Sequence, residues 1–178
     1  MHHIERKVPI MTIPADEEMI RLVREILADA GKGYTPEQLA EIPSILATKY
    51  KYWWCVDMQL WDVMPEVLTE PFSAYSNGRL IPNKSLMDQV NRSSVVCDDS
   101  MVPMHMGHNA IVQFTSPTTC RLLTRLNDYH TYIDDQSTYE GWGLYVDDLV
   151  KCDDGVWRIQ TLRLTYRKLL GKLRNKGV

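Results

Sequence analysis

Apolar residues recur at helical spacing in the first part of the chain. Between Ala15 and Ala30, four apolar side chains lie three or four residues apart among charged ones, and the sequence GKGY follows at 31–34. This spacing predicts an amphipathic helix that ends at the glycines. We interpret residues 1–34 as an N-terminal helical extension.

A second helix start follows directly. The sequence TPEQ (35–38) combines a capping threonine, a proline at the first helical position and a glutamine three residues after the cap. Pro43 is expected to interrupt this helix or restart it. Ser44–Val56 then continues with apolar and aromatic side chains at steps of three and four. A further short helix is predicted over VMPEVL (63–68).

After Leu68 the pattern changes to short extended segments. PFSAYSNGRLI (71–81) contains an Asn-Gly turn, which indicates a hairpin. Lys84–Ser94 predicts one more helix, with Asn83 as its cap. Four strands separated by turns are predicted next: Met101–Phe114, Cys120–Ile133, Tyr139–Lys151 and Val156–Lys168. Helices followed by a long antiparallel meander predict an α+β domain in which a curved sheet wraps over helices.

Composition and charge limit the class of protein and its possible partners. The 178 residues, 44% hydrophobic and 24% charged, fit one globular domain with an extension, and residues 171–178 form a basic tail. A net charge of −3 gives no electrostatic reason to expect nucleic acid. No apolar run approaches the roughly 18 residues that span a bilayer, so no membrane partner is expected.

The cysteines and the N-terminus predict a compartment. The four cysteines are widely separated and form no CxxC pair, which argues against a zinc knuckle or a disulfide framework and fits reducing conditions. The first residues contain no apolar stretch of signal-peptide length. We therefore expect a cytoplasmic protein.

Two histidines inside an apolar strand raise the first question of chemistry. His105 and His108 lie three apart in MVPMHMGHNAIVQF (101–114). They could be metal ligands, satisfied core histidines or a proton-transfer group. Residues three apart on a strand point to opposite faces, so the pair cannot bind one ion together. Only His130 is placed to help, and we expect no metal site. His108 is interpreted as structural.

Two carboxylates support the proton-transfer reading. Asp57 ends a helix whose face carries aromatic side chains, and Asp128 shares a strand face with Leu122 and Leu126. Carboxylates are almost never fully buried without a partner. If both line one cavity with His105, a carboxylate on the ring would fix its tautomer and raise its basicity. A helix-capping contact for Asp57 remains the structural alternative.

The helix geometry leaves a choice between two tyrosines. On an ideal helix Tyr52 lies roughly 140° round from Asp57, whereas Tyr50 lies close to the Asp57 direction. Geometry alone favours Tyr50. Both reach one cavity only if the last turn is unwound or if the helix end is approached from the side.

Several short motifs in order resemble a known family, the SnoaL-like branch of the nuclear transport factor 2-like superfamily. The likeness covers about residues 40 to 168, and within it the motifs are most similar to those of bile acid 7α-dehydratases and more distantly to those of scytalone dehydratases. The segments that carry it are KYWWCVD (51–57), WD (61–62), AYSNGRL (74–80), MHMGHNAIV (104–112), RLNDY (125–129) and DDGVWRIQTLRL (153–164).

The resemblance implies a fold and a reaction. It implies a cone-shaped α+β barrel over residues 35–170, with a strongly curved, mostly antiparallel sheet packed over N-terminal helices around an apolar pocket. It implies a lyase (dehydratase) that needs no cofactor and removes water from a hydrophobic, steroid-like or polycyclic carbonyl substrate. A homo-oligomer is also implied, a trimer before a dimer, through the convex sheet face, on which the alternation leaves Leu123 and Tyr129.

Site residues follow by matching positions. The resemblance implies four catalytic residues, with Tyr52 preferred over Tyr50: His105, Asp57, Tyr52 and Asp128. The expected substrate-binding wall consists of Tyr50, Trp53, Trp54, Met104, Leu126 and Tyr166. One position departs from the pattern, because Tyr166 stands where the bile acid enzymes have an arginine. Two other readings remain open: a non-catalytic ligand-binding or assembly module of the same fold, and an isomerase or cyclase.

Overall fold

The computed structural model describes residues 10–171 and Arg174, so most of the predicted basic tail lies outside the described residues. A 3₁₀ turn, Met64–Glu66, links the second helix to the second strand. None of the described helices is long and apolar enough to cross a membrane. The elements, in chain order, are β1 (Ile10–Thr12), α1 (Glu17–Asp29), α2 (Pro36–Asp57), β2 (Leu68–Ser76), β3 (Arg79–Ile81), α3 (Leu86–Val96), β4 (Met101–Ser116), β5 (Thr119–Tyr132), β6 (Thr138–Lys151) and β7 (Trp157–Leu170).

The described strands form one curved, open sheet. Its order is β3-β2-β7-β6-β5-β4, and β1 pairs with the end of β7. The predicted meander is confirmed, because β4, β5, β6 and β7 pair consecutively and antiparallel. β2 pairs parallel to β7, which the sequence analysis did not predict. The α+β fold with a mostly antiparallel sheet is therefore confirmed, although the sheet does not close into a complete barrel.

Helix α2 lies on the face of the sheet that we call the inner face. It begins with a complete capping box, in which Thr35 accepts from the Gln38 backbone and the Gln38 side chain accepts from Thr35. The expected interruption at Pro43 is wrong, since the helix runs through it. Pro43 and Leu39 are both exposed, so water can satisfy the Leu39 carbonyl that loses its donor.

Two other predicted boundaries need correction. Helix α3 is capped by Ser85, whose hydroxyl accepts from the Asp88 backbone N–H. Asn83, the predicted cap, instead donates to the Phe72 carbonyl and ties the preceding loop to β2. The segment VMPEVL forms only one 3₁₀ turn before β2 begins.

Helix α1 covers part of the outer face of the sheet. Leu22 and Ile26 are buried there, in a small second core with Val146. Leu123, one of the two residues predicted at an oligomer interface, packs against this core within the same chain. The described part of the extension is therefore packed onto the domain, and assembly through this face stays a prediction.

Candidate active site

A cavity of about 270 Å³ opens between the inner face of the sheet, α2 and α3. Apolar side chains from β2, α3 and β7 form much of its wall. Polar groups come from two histidines and five tyrosines, and also from Ser76, Gln89, Arg92 and Ser93, so the cavity suits a largely apolar molecule with a few polar atoms. The aromatic polar residues of the wall include Tyr52, His105, His130 and Tyr166.

Asp57 and His105 form a close pair at one end of the cavity. The His105 ring Nδ1 lies 2.6 Å from Asp57 Oδ1, and the His105 backbone N–H donates to Asp57 Oδ2 over 2.9 Å. A carboxylate only accepts hydrogen bonds, so in the neutral imidazole form Nδ1 carries the proton and Nε2 the lone pair. The side chains are only 8% and 14% exposed, for His105 and Asp57 respectively. This arrangement fits a base held in one tautomer.

The pair is positioned by tight packing of α2 on strand β4. Asp57 is the last residue of the helix, and Trp53, one turn earlier, is buried against Gly107. A Cβ on Gly107 would lie 1.7 Å from the Trp53 ring, so only glycine allows this approach. The contact brings the helix end beside His105, two residues away on the strand.

Asp128 lies behind the cavity wall and does not line it, contrary to the expectation. It is fully buried and accepts a hydrogen bond of 2.5 Å from the Tyr166 hydroxyl. Burial raises the pKa of Asp128, while this hydrogen bond and the nearby His105 oppose the shift. Tyr166 itself borders the cavity. Asp128 can therefore orient Tyr166, but it is not part of the wall that would contact a substrate.

His130 is a site residue that was not predicted from the sequence. It is 5% exposed, borders the cavity, and its ring packs edge-on to His105 at 5.5 Å between centroids. Burial lowers the pKa of His130 to about 4, so its imidazole is neutral at neutral pH. The signal was available in the strand alternation, because His130 shares its face with Asp128.

Tyr52 lies in the cavity wall and Tyr50 lies outside it, although α2 is helical to Asp57. Tyr50 instead borders a separate groove together with Asp57, as the helix angle predicts, so the two tyrosines do not share one cavity. Burial raises the pKa of Tyr52 above its usual range, so the phenol remains protonated. Beneath it, a buried ion pair joins Lys49 to Asp147 at 2.7 Å.

The predicted substrate wall needs correction at most positions. Tyr50, Trp54 and Met104 are 45%, 63% and 53% exposed and line a groove on the outer side of the Asp57–His105 pair. Met104 precedes His105 on a strand, so it faces the other way. Trp53 and Leu126 are buried in the core without reaching the cavity. Of the six predicted wall residues, Tyr166 alone borders it.

The same end of the cavity gathers possible metal ligands. One ligand atom each from His105, Asp128 and His130 lies within 4.8 Å of the others. His108, on the other face of β4, is exposed and takes no part. The arrangement thus offers an oriented base, phenolic donors and a three-residue ligand set.

Solved structures with the same fold include several enzymes. A provisionally named scytalone dehydratase from Novosphingobium aromaticivorans is 18% identical, with a TM-score of 0.67 over 80% of this chain and 93% of that one. A hexachlorocyclohexane dehydrochlorinase, LinA type 3, from Novosphingobium barchaimii is 16% identical, with a TM-score of 0.61 over 73% and 88%. At such low sequence identities, the TM-scores establish similarity of fold alone.

A subunit of a larger enzyme shares the fold as well. The β subunit of a provisionally named aromatic-ring-hydroxylating dioxygenase from Novosphingobium aromaticivorans is 17% identical, with a TM-score of 0.60 over 77% of this chain and 92% of that one. The sequence model of one family, described as the SnoaL-like domain, matches residues 37–163. This match spans most of the chain and includes every catalytic residue predicted above, and the protein therefore belongs to the SnoaL-like domain family.

Proposed function

We propose that the protein is a carbon–oxygen lyase of the dehydratase type that works without a cofactor. One observation carries the proposal: Asp57 binds both the ring and the backbone N–H of His105, which leaves Nε2 as a base at a mostly apolar cavity. A ligand carrier or an assembly subunit has no need of such an oriented base.

The proposed reaction begins with proton abstraction. His105 Nε2 takes a proton from a carbon next to a conjugated carbonyl, and Asp57 stabilises the imidazolium that forms. The electron pair of the broken C–H bond forms the new double bond as the hydroxyl group departs. The imidazolium, or a phenol, supplies the proton with which hydroxide leaves as water. A positioned base of this kind contributes about 10²–10⁴-fold to rate.

Two tyrosines have different roles in this proposal. Tyr52, a buried phenol with a raised pKa, donates a hydrogen bond to the developing enolate or to the departing hydroxyl. Tyr166, held by Asp128, orients the other polar end of the substrate. Donors that are already oriented in a site with little water stabilise such charge more than water does.

The proposed substrate is a hydrophobic carbonyl compound, steroid-like or polycyclic. Support comes from the mostly apolar wall and from motifs similar to those of bile acid 7α-dehydratases. Tyr166 replaces the arginine of those enzymes, so we propose a substrate whose end near β7 is neutral rather than anionic. A guanidinium pairs with carboxylate or phosphate, whereas the Tyr166 oxygen, whose one proton goes to Asp128, can accept a hydrogen bond from a substrate hydroxyl.

The test uses purified protein and a panel of β-hydroxy ketone steroids and polycyclic hydroxy ketones. Mass spectrometry follows the loss of one water, and deuterium uptake from D₂O reports proton abstraction even where elimination is slow. We expect His105→Gln to lower turnover by about 10²–10⁴-fold. Asp57→Asn should also lower turnover strongly, because it favours the wrong tautomer of His105. Tyr52→Phe should lower turnover by about 10²–10³-fold.

His108→Gln is the matched control, since His108 lies on the same strand with its side chain exposed. It should retain full activity. Wild-type turnover in His105→Gln would refute the mechanism. If the whole panel binds without turnover or exchange, a ligand-binding or assembly role replaces the lyase.

A further inference from the structure

We propose that His105, Asp128 and His130 form a binding site for one divalent transition-metal ion of the Zn²⁺ class. The three side chains come from two adjacent strands, β4 and β5. His105 pairs directly with Asp128 across the strands, and His130 follows two residues later on the same face. Their ligand atoms all lie within 4.8 Å of one another.

The ligand atoms are available in this arrangement. Asp57 occupies His105 Nδ1, so the free nitrogen is Nε2. Tyr166 occupies one oxygen of Asp128, whereas Oδ1 has no hydrogen-bond partner among the described residues. The same holds for Nδ1 of His130, whose side chain is also buried. A buried polar atom without a hydrogen-bond partner is unfavourable, and binding of a metal ion by these two atoms would relieve this cost.

The hydrogen-bond partners of two of these ligands also resemble those found at metal sites. Histidines that bind metals usually donate their other ring N–H to a carboxylate, a backbone carbonyl or water, which fixes the ring and strengthens the ligand. Asp57 gives His105 this partner at 2.6 Å. The Tyr166 hydroxyl similarly holds the Asp128 carboxylate.

The ligand chemistry selects the class of ion. Two imidazole nitrogens and one carboxylate oxygen favour Zn²⁺, Co²⁺ or Ni²⁺ over Mg²⁺ and Ca²⁺, which prefer oxygen ligands. With bonds of about 2.0–2.1 Å, ligand atoms of a tetrahedral ion lie roughly 3.4 Å apart, so small side-chain rotations must close the site. Three protein ligands leave a fourth position open.

Metal binding has a consequence for catalysis that rests on the proposed function. The ion would take the lone pair of His105 Nε2 that serves as the base. The metal-bound protein should therefore lack lyase activity, and a chelator should restore it.

The test measures metal binding without any substrate. Full-length protein is stripped with a chelator and titrated with Co²⁺, whose visible d–d absorption reports its coordination, and Zn²⁺ is then added as a competitor. Every variant carries His2→Gln and His3→Gln, because terminal histidines can bind the ion on their own. We expect one Co²⁺ per chain, displaced by Zn²⁺. Circular dichroism confirms that each variant is folded.

Variants separate this site from others. Asp57→Asn should weaken Co²⁺ binding by about 10–100-fold, as loss of a carboxylate behind a ligating histidine does, and removal of a ligand should cost at least as much. His130→Gln and Asp128→Asn are those ligand variants, and His108→Gln should bind like the parent. If the parent shows no stoichiometric absorption, or if His130→Gln binds like it, the proposal is wrong. Turnover by metal-free protein tests the lyase separately.

Discussion

Loss of Lys49 should destabilise the protein strongly and in a pH-dependent way. Lys49 belongs to α2, and its ammonium group is fully buried. It lies 2.7 Å from the carboxylate of Asp147 on β6, which is also fully buried. Burial lowers the pKa of Lys49 and raises that of Asp147, while their mutual attraction opposes both shifts. Lys49→Met removes one charge and leaves the Asp147 carboxylate without its partner in the core.

The expected cost can be worked out from this geometry. Breaking a buried pair by removing one partner typically costs about 3–5 kcal/mol. The stranded Asp147 can instead take up a proton. From an unfolded pKa near 3.9, protonation at pH 7 costs about 4 kcal/mol, at about 1.4 kcal/mol per unit. The two estimates agree, so we expect a loss of about 4 kcal/mol at pH 7.

The sign of the pH dependence follows from the same argument. In Lys49→Met the folded-state pKa of Asp147 lies above its unfolded value. The variant is therefore relatively most stable below about pH 4 and loses stability as pH rises toward the folded pKa. At pH 5 the protonation cost falls to roughly 1.5 kcal/mol. The deficit relative to the parent should shrink accordingly between pH 7 and pH 5.

The assay is urea unfolding at pH 7 and pH 5, followed by tryptophan fluorescence and far-UV circular dichroism. Lys51→Met is the matched control: Lys51 lies two residues along the same helix and pairs with Glu66 at 44% and 63% side-chain exposure. It should cost at most about 1 kcal/mol. Lys49→Met with Asp147→Leu should recover most of the stability. A cost for Lys49→Met below about 1 kcal/mol at pH 7, or one that does not change at pH 5, would refute the reasoning.

Three further predictions concern packing and access. Gly107→Ala forces a methyl group into the Trp53 ring and should lower the free energy of unfolding by about 1–3 kcal/mol or more in urea titrations; parent-like stability would contradict this packing. Gly141→Ala places a Cβ 2.1 Å from Asp128 Oδ1, so turnover should fall even in protein that circular dichroism reports as folded, and unchanged turnover would count against the role of Asp128. Cys152 is the one cysteine of the four that is not buried, so a thiol reagent should label it first in the native protein; equal labelling of all four would be inconsistent with the fold.

Local patterns determined most of the individual elements. In β5, buried and more accessible residues alternate along the strand, so period-two alternation revealed the strand and its inner face together. The capping box at Thr35 determined where α2 begins, because its hydrogen bonds join residues three apart. The approach of Asp57 to His105 was also predicted, with the help of family motifs.

Short and distant pairings escaped the same reasoning. β1 has three exposed residues, and its pairing with β7 joins residues more than 150 positions apart. The parallel contact of β2 with β7 likewise leaves no local pattern. α1 was predicted as a helix, but which surface it covers depends on the apolar residues that the sheet presents on its outer face.

The site shows the same division between sequence and tertiary structure. Sequence alone placed Asp128 and His130 on one strand face and favoured Tyr50 over Tyr52 by helix angle. Only the tertiary structure decided that the cavity is lined by Tyr52, whereas Tyr50 and Asp57 line a separate groove, and that Asp128 lies behind Tyr166. The physical reason is that periodicity determines the direction of a side chain relative to its own element. What that side chain meets depends on how elements far apart in the chain pack together.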